Sequence, residues 1–159
     1  MEGGEVITLR PLEVSDIDHF MVWANTSKED GIKYLESIKS HPWLRAICIA
    51  DKPVGAISVE PNTGSDACRG KLGYVLATEY WGRGIVTEAV KMVSERIFKE
   101  WPHLERLEAL VDVDNLRSQR VLEKAGFLKE GVLRKFYRIK GRLVDVAIFS
   151  LLSTDVKNP

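Results

Sequence analysis

Apolar and polar residues alternate in some stretches of the chain and recur every three to four positions in others, marking strands and helices respectively. Val6–Arg10 alternates and stops at Pro11, which predicts a first strand. Ile17, Phe20, Met21 and Ala24 share one helical face behind Ser15-x-x-Asp18, a capping-box-like start. Ser27 and Asp30 repeat that signal before Ile32, Leu35 and Ile38, so a second short helix follows with almost nothing between, around Asn25–Thr26. Arg45–Ala50 and Val54–Glu60 read as strands joined by a hairpin at Asp51-Lys52-Pro53. A polar loop over Pro61–Asp66 precedes a strand over Lys71–Ala77. Val86, Ala89, Val90, Val93, Ile97 and Phe98 form one stripe, predicting a long helix from Gly84 to Glu100 that Pro102 ends. Leu107–Val111 is apolar on both faces, as an interior strand requires. Asn115–Ala125 reads as a short helix stopped by Gly126. Phe127–Arg138 and Leu143–Leu152 close the chain as two strands around Lys140-Gly141.

The order β-α-α-β-β-β-α-β-α-β-β places hairpins on both sides of one βαβ crossover, from Lys71 to Val111. It predicts an α+β single domain over residues 1–159, with a mixed, mostly antiparallel twisted sheet and flanking helices. Composition narrows the function. At 159 residues, 45% apolar and 29% charged, the chain is an ordinary globular domain. Lys plus Arg and Asp plus Glu both number 23, so no global field marks nucleic acid or an anionic membrane as a partner. Apolar runs reach five residues, as in Ala46–Ala50, against the ~20 needed to span a bilayer. Met1–Glu5 lacks the features of a signal peptide and Glu2 stands where myristoylation needs glycine, so a cytoplasmic protein is expected. Cys48 and Cys68 build neither a disulfide framework nor a zinc site and read as structural thiols. His19, His41 and His103 carry no partner motif, which leaves them surface or capping roles and predicts no metal.

The most informative stretch is Tyr80-Trp81-Gly82-Arg83-Gly84-Ile85-Val86-Thr87-Glu88. A strand feeds a turn with two glycines, and a long helix begins inside that turn. Amide N–H groups at a helix N-terminus, with the helix dipole, make a site for phosphate. Glycine lets backbone approach an anion closely. The other reading is a turn that binds nothing. A Walker A loop is excluded because no Gly-Lys-Ser/Thr occurs, and a dinucleotide fingerprint because Thr87 stands where a third glycine belongs. The second constellation runs over Asp112–Phe127, where Asn115 or Asp114 caps a helix and Ser118 lies in its first turn. Each motif opens a helix directly after a strand, and strands neighbouring across the βαβ unit bring such helix starts to one sheet end.

Taken together these residues resemble a GNAT acetyltransferase of the subgroup similar to ribosomal-protein N-terminal acetyltransferases (RimJ/RimL-like). The likeness covers Leu9-Arg10-Pro11 with Ser15-Asp16, Gly73–Leu76, Tyr80–Val90, Asn115–Phe127 with Glu130-Gly131, and Asp145–Leu152. It implies acetyl-CoA as co-substrate, with its pyrophosphate on the backbone of Trp81, Gly82, Arg83, Gly84, Ile85 and Val86. It implies a strand over Leu72–Ala77 that splays to admit pantetheine, Tyr74 packing beside it, and Asn115 and Ser118 near the thioester. Arg120 and Lys124, one helical turn apart, could reach the adenosine phosphates or simply be solvated. Trp81 and Val86 depart from the wider family's usual residues at their places. The tight link near Asn25–Ser27 is shorter than in such relatives, implying an open acceptor cleft or a missing part of that loop.

Acetyl transfer to an amine needs a held thioester, a neutral amine, a stabilised oxyanion and a proton for the departing thiolate. Strand N–H groups around Val75 and Leu76 suit the oxyanion. Glu60, at a strand end, is the candidate base through water, against the commoner reading of a solvated strand-end carboxylate; Glu79 is a lesser candidate whose other reading is a solvent-facing side chain. Ser118 or Tyr137 is the candidate proton donor. The sequence shows no obvious strong base, so a weakly basic acceptor is favoured: neutralising an α-amine of pKa near ~7.8 costs roughly 1 kcal/mol at pH 7, a lysine near ~10.4 roughly 4–5. The expected function is therefore acetyl transfer to a protein N-terminal α-amine. The alternatives are a small amine, such as a polyamine, amino acid or aminoglycoside, or a non-catalytic acyl-CoA-binding adaptor.

Overall fold

The computed structural model describes residues 5–156; Met1–Gly4, on which the reading of the leader rests, lie outside the described residues. The elements are β1 (Ile7–Arg10), α1 (Ile17–Ala24), α2 (Lys28–Ser37), β2 (Leu44–Ile49), β3 (Lys52–Pro61), β4 (Arg69–Leu76), α3 (Ile85–Glu100), β5 (Arg106–Asp112), α4 (Leu116–Lys124), β6 (Leu128–Ile139), β7 (Arg142–Leu152) and α5 (Ser153–Val156). The order of strands and α-helices matches the sequence pattern, with the terminal turn α5 and four single 3-10 turns added. The seven strands run β1-β2-β3-β4-β5-β7-β6; β1 with β2, β2 with β3, β5 with β7 and β6 with β7 are antiparallel, and β4 with β5 is parallel. Backbone contacts divide the chain into two compact units, Met1–Glu60 with Gly73–Ala89 and Pro61–Leu72 with Val90–Pro159.

In the first unit β1, β2 and β3 form a meander, with Ile7 opposite Ile49 and Leu44 opposite Ser58. The turn between β2 and β3 sits one residue earlier than the proline suggested. Ala50 and Asp51 both take positive φ, 50° and 64°, the pattern whose twist suits a two-residue hairpin. Leu12, Ile17, Phe20, Leu35, Ala46 and Cys48 make a buried cluster between α1, α2 and the sheet. Phe20 stacks on Trp23 at 5.0 Å and meets Tyr34 edge-on at 5.3 Å. Helix α1 stops because Asn25 turns left-handed at φ 51°, and Ser27 then caps α2 by accepting the Asp30 N–H at 3.1 Å. The three-residue link is thus stereochemically complete: a C-terminal stop followed at once by an N-terminal cap.

The start of α1 differs from the Ser15-x-x-Asp18 expectation. Asp16 accepts the Glu13 N–H at 2.9 Å while both its oxygens receive the Arg10 guanidinium at 2.9 Å. The bidentate Arg10 holds the Asp16 carboxyl below the usual range, against the opposing pull of burial. Arg10 also donates to Asp51 Oδ1, so one guanidinium ties the helix start to the β2–β3 turn. Sequence spacing sees neither partner.

In the second unit β5 pairs with β7 along its whole length, Arg106 opposite Leu152 to Asp112 opposite Val146. The ladder between β4 and β5 covers three residues, Arg69–Lys71 against Arg106–Glu108. Arg106 reaches Glu130 with two bonds of 2.6 and 2.7 Å and Glu108 with one of 3.0 Å. Arg106, then the Ser150 hydroxyl, draw the Glu130 carboxyl down to about 2. Cys68 is exposed, unlike buried Cys48, so the expectation of two structural thiols holds for Cys48 alone. Because the folded pKa of Glu130 lies below the unfolded value near ~4.3, its stabilising contribution is complete above that value and is lost as pH falls towards 2. Glu130→Gln is expected to lower Tm at pH 7 and to flatten the fall of Tm between pH 4.5 and 2.5. Parallel acid limbs for the two proteins in calorimetry would show that the ion pair is inert.

Candidate active site

Val54 O accepts the Ala77 N–H at 2.8 Å, which fastens the end of β4 to the start of β3. The approach beside it is close. A Cβ on Gly55 would stand 2.2 Å from the Val75 carbonyl oxygen and 3.0 Å from Leu76 Cα, so only glycine fits without backbone movement. Beyond this anchor the chain makes one tight turn over Thr78–Tyr80 and enters the glycine loop. The Trp81 indole N–H donates to the Leu76 carbonyl at 2.9 Å, folding the loop back onto the strand that launches it. Trp81 is therefore a brace for the loop, not a misfit.

Gly82 and Gly84 take φ of 79° and 75°, whereas Arg83 between them is not left-handed. Alternating hands along three residues point successive N–H groups to one side, the arrangement of an anion nest. Gly84 is also the first acceptor of α3, taking the Glu88 N–H at 3.1 Å, so the nest runs into a helix N-terminus. Ile85 is buried and pins the helix start, while residues 81–84 are exposed. This backbone fits a pyrophosphate: amide donors clustered on one side with no Cβ at either left-handed position. Arg83 does not add a free cation. Its guanidinium is bound by Glu5 at 2.8 Å, donates to the Glu79 carbonyl at 3.2 Å and lies 5.0 Å over the Tyr80 ring.

The remaining candidates separate. Tyr74 is half-buried and Val75 exposed on β4, in the same unit as the loop. Asn115 and Ser118 belong to the second unit, where the Asn115 side-chain carbonyl accepts the Ser118 N–H at 3.1 Å and so caps α4. Tyr137 lies on the outer strand β6, paired with Val144, its ring 5.6 Å from Phe136. Arg120 and Lys124 are exposed on α4. Glu60 is not brought to the loop. Gly55 faces Leu76 and Ser58 lies beside Gly73, so Glu60 stands five residues along β3 from Gly55, about 16 Å at ~3.3 Å per residue.

Sequence reasoning missed the partner of Glu60. His41 Nε2 lies 3.1 Å from Glu60 Oε2, and His41 Nδ1 accepts the Trp43 N–H at 3.0 Å. With Nδ1 accepting, Nε2 carries the proton and donates it to the carboxylate, a fixed tautomer. The two residues are 19 apart in sequence, and no local spacing signals such a pair. His41 also lines a groove of about 610 Å³ with Leu12, Lys39 and Arg45, to which no loop residue contributes.

The sequence model of the Acetyltransferase (GNAT) domain matches residues 7–128. The chain belongs to the GNAT acetyltransferase family. Probable N-acetyltransferase YjcK of Bacillus subtilis is 40% identical over 179 aligned positions, 98% of this chain and 98% of that one. An uncharacterized N-acetyltransferase of Bacillus licheniformis, p20, is 40% identical over 87 residues, 55% of this chain and 48% of the relative, about half its length. Among solved structures, the ribosomal-protein-S5-alanine acetyltransferase of Vibrio fischeri superposes with TM-score 0.78 at 26% identity, covering 95% of each chain. The YjcK alignment is longer than this 159-residue chain, so that relative holds segments this GNAT protein lacks.

Gly55→Ala is expected to cost about 1–3 kcal/mol in denaturant unfolding, since the new methyl meets backbone. Gly31→Ala is the control: there a Cβ meets side chains and no backbone, the tip of Ile17 at 2.6 Å, Thr26 Cγ2 at 3.4 Å and Met21 Cγ at 3.9 Å, and alanine improves helix propensity. Equal, small costs at both sites would show that the β3–β4 approach yields freely.

Proposed function

We propose that this chain transfers the acetyl group of acetyl-CoA directly to an amine, and that the acceptor is a protein N-terminal α-amine. The observation that carries the reading is the Gly82-Arg83-Gly84 nest opening α3 in a chain of the GNAT family. The nest amides hold the pyrophosphate. Since Ala77 N–H points to β3, alternation along the strand turns the Leu76 N–H to the other edge, where it donates to the developing oxyanion. As the amine nitrogen bonds to the carbonyl carbon, the C–S bond breaks and the departing sulfur takes a proton; family likeness gives the Ser118 hydroxyl as its donor, and the proton that the amine nitrogen gives up passes through water to restore that hydroxyl. Ser118 suits this role as a first-turn residue of α4 set by the Asn115 cap.

Two observations favour the α-amine. The His–carboxylate pair of this chain, His41 with Glu60, stands about 16 Å along β3 from the anchored strand end, so an acceptor that loses its proton to water is the better match. The Vibrio fischeri relative carries the name of an enzyme acting on an alanine of a ribosomal protein.

Turnover against N-terminal peptides and against spermidine tests the acceptor. Peptide activity is expected, with kcat/KM rising with pH and levelling near ~8, the pKa of an α-amine. Acetylation of spermidine but not of peptides would retire the α-amine, and turnover of neither would leave an acyl-CoA binder. Gly84→Glu tests the nest. It is expected to weaken CoA binding in calorimetry roughly 100-fold, about 2.7 kcal/mol, with the circular dichroism spectrum kept. Gly84→Ala separates backbone strain at φ 75° from charge and is expected to lose far less. Equal affinity in all three proteins would mean the loop is only a turn.

A further inference from the structure

The zero net charge hides a division. Seven Lys/Arg and twelve Asp/Glu fall in the first unit, sixteen and eleven in the second. Much of the positive excess sits in one tract, Arg134-Lys135-Phe136-Tyr137-Arg138-Ile139-Lys140-Gly141-Arg142, with five cations and no carboxylate in nine residues. Every residue of that tract is exposed. Arg134, Lys135 and Lys140 make no ion pair among the described residues, and Arg142 reaches Asp112 only at 3.9 Å. Phe136 and Tyr137 are 48% and 36% exposed, far from the usual fate of two adjacent aromatic rings.

Their geometry is built. On a regular strand neighbouring side chains point to opposite faces. Here Leu133 pairs with Val146 and Tyr137 with Val144, so β6 advances four residues while β7 advances two. Lys135 takes up the excess at φ 46°, and its N–H is held by Asp145 Oδ1 at 2.7 Å. The bulge brings the rings of Phe136 and Tyr137 together edge-on, centroids 5.6 Å apart, with cations before and after them.

We propose that this hairpin binds single-stranded RNA, its phosphates meeting Arg134, Lys135, Arg138 and Lys140 and a base stacking on Phe136. Exposed aromatics set among cations form the usual platform for single strands. An acidic peptide meets the same charge, but the bulge interrupts the row of backbone groups that an added strand would use on this edge. The proposal is independent of which amine the enzyme acetylates.

Fluorescence anisotropy of a labelled 15-mer oligouridylate with the full chain tests it. Binding is expected at low salt, with log K falling against log salt at a slope of about −2 to −3 for three to four phosphates neutralised. The Arg134→Glu/Arg138→Glu protein is expected to bind at least tenfold more weakly, and Phe136→Ala roughly 5- to 150-fold more weakly through lost stacking. Lys140→Glu, at the turn, gives an independent charge reversal expected to act in the same direction. Unchanged melting temperature and CoA affinity verify that each variant folds. Absence of binding by the parent protein, or full binding by both charge-reversed proteins, overturns the proposal. So does binding to a poly-glutamate peptide as tight as to the RNA with Phe136→Ala silent, the outcome expected of an acidic-protein surface.

Discussion

The end of β4 depends on the absence of one methyl group. Where a side chain on Gly55 would begin, the Val75 carbonyl oxygen stands at 2.2 Å, and the adjacent Val54–Ala77 hydrogen bond locks the approach. Two backbones this close behave as one piece, because any movement of one strand meets the other's main chain rather than a flexible side chain. The strand is thereby committed to β3 at Gly73–Leu76, while its parallel ladder with β5 is confined to Arg69–Lys71. This fixed strand end sets where the glycine loop begins, before any catalytic side chain is considered.

The glycine loop inherits its position from that clamp. Trp81 returns to the Leu76 carbonyl, and Arg83 spends its charge on Glu5, the Glu79 carbonyl and the Tyr80 ring. Both long side chains flanking the nest shape the loop, which leaves main-chain N–H groups as the donors of the proposed anion site. The division of labour is physically sensible. Amide dipoles fixed by φ need no reorganisation when a ligand arrives, whereas a flexible guanidinium must give up rotamer freedom and an existing ion pair.

Element order was legible in the sequence because apolar periodicity reports burial, and burial fixed every strand and helix to within a few residues. The glycine loop was legible for a related reason: Gly82 and Gly84 are demanded locally by positive φ. What sequence spacing missed depends on contacts across long separations. Arg10 replaced the expected Ser15–Asp18 box by seizing Asp16 and Asp51, 6 and 41 residues away. His41 met Glu60 across two elements, turning a histidine without a motif into one with a fixed tautomer. Asn115 showed the opposite case. Its plain reading as a helix cap is what the geometry displays, and the acyl-carrier role rests on family likeness.

Charge explains why the two recognition surfaces use different physics. The nest lies in the unit with the excess of carboxylates, and Glu5, Glu79 and Glu88 all fall within or beside its loop and helix start. A distant phosphate gains little there from long-range attraction, so discrimination rests on short, directional bonds to N–H groups that a displaced or carboxylate-bearing loop would forfeit. The β6–β7 hairpin works the other way, with unpaired cations and open rings that attract from a distance and tolerate many sequences. On these two proposals a chain whose formal charge is zero carries one site selective by geometry and one surface selective by field, a distinction invisible to net charge and visible in where each residue falls.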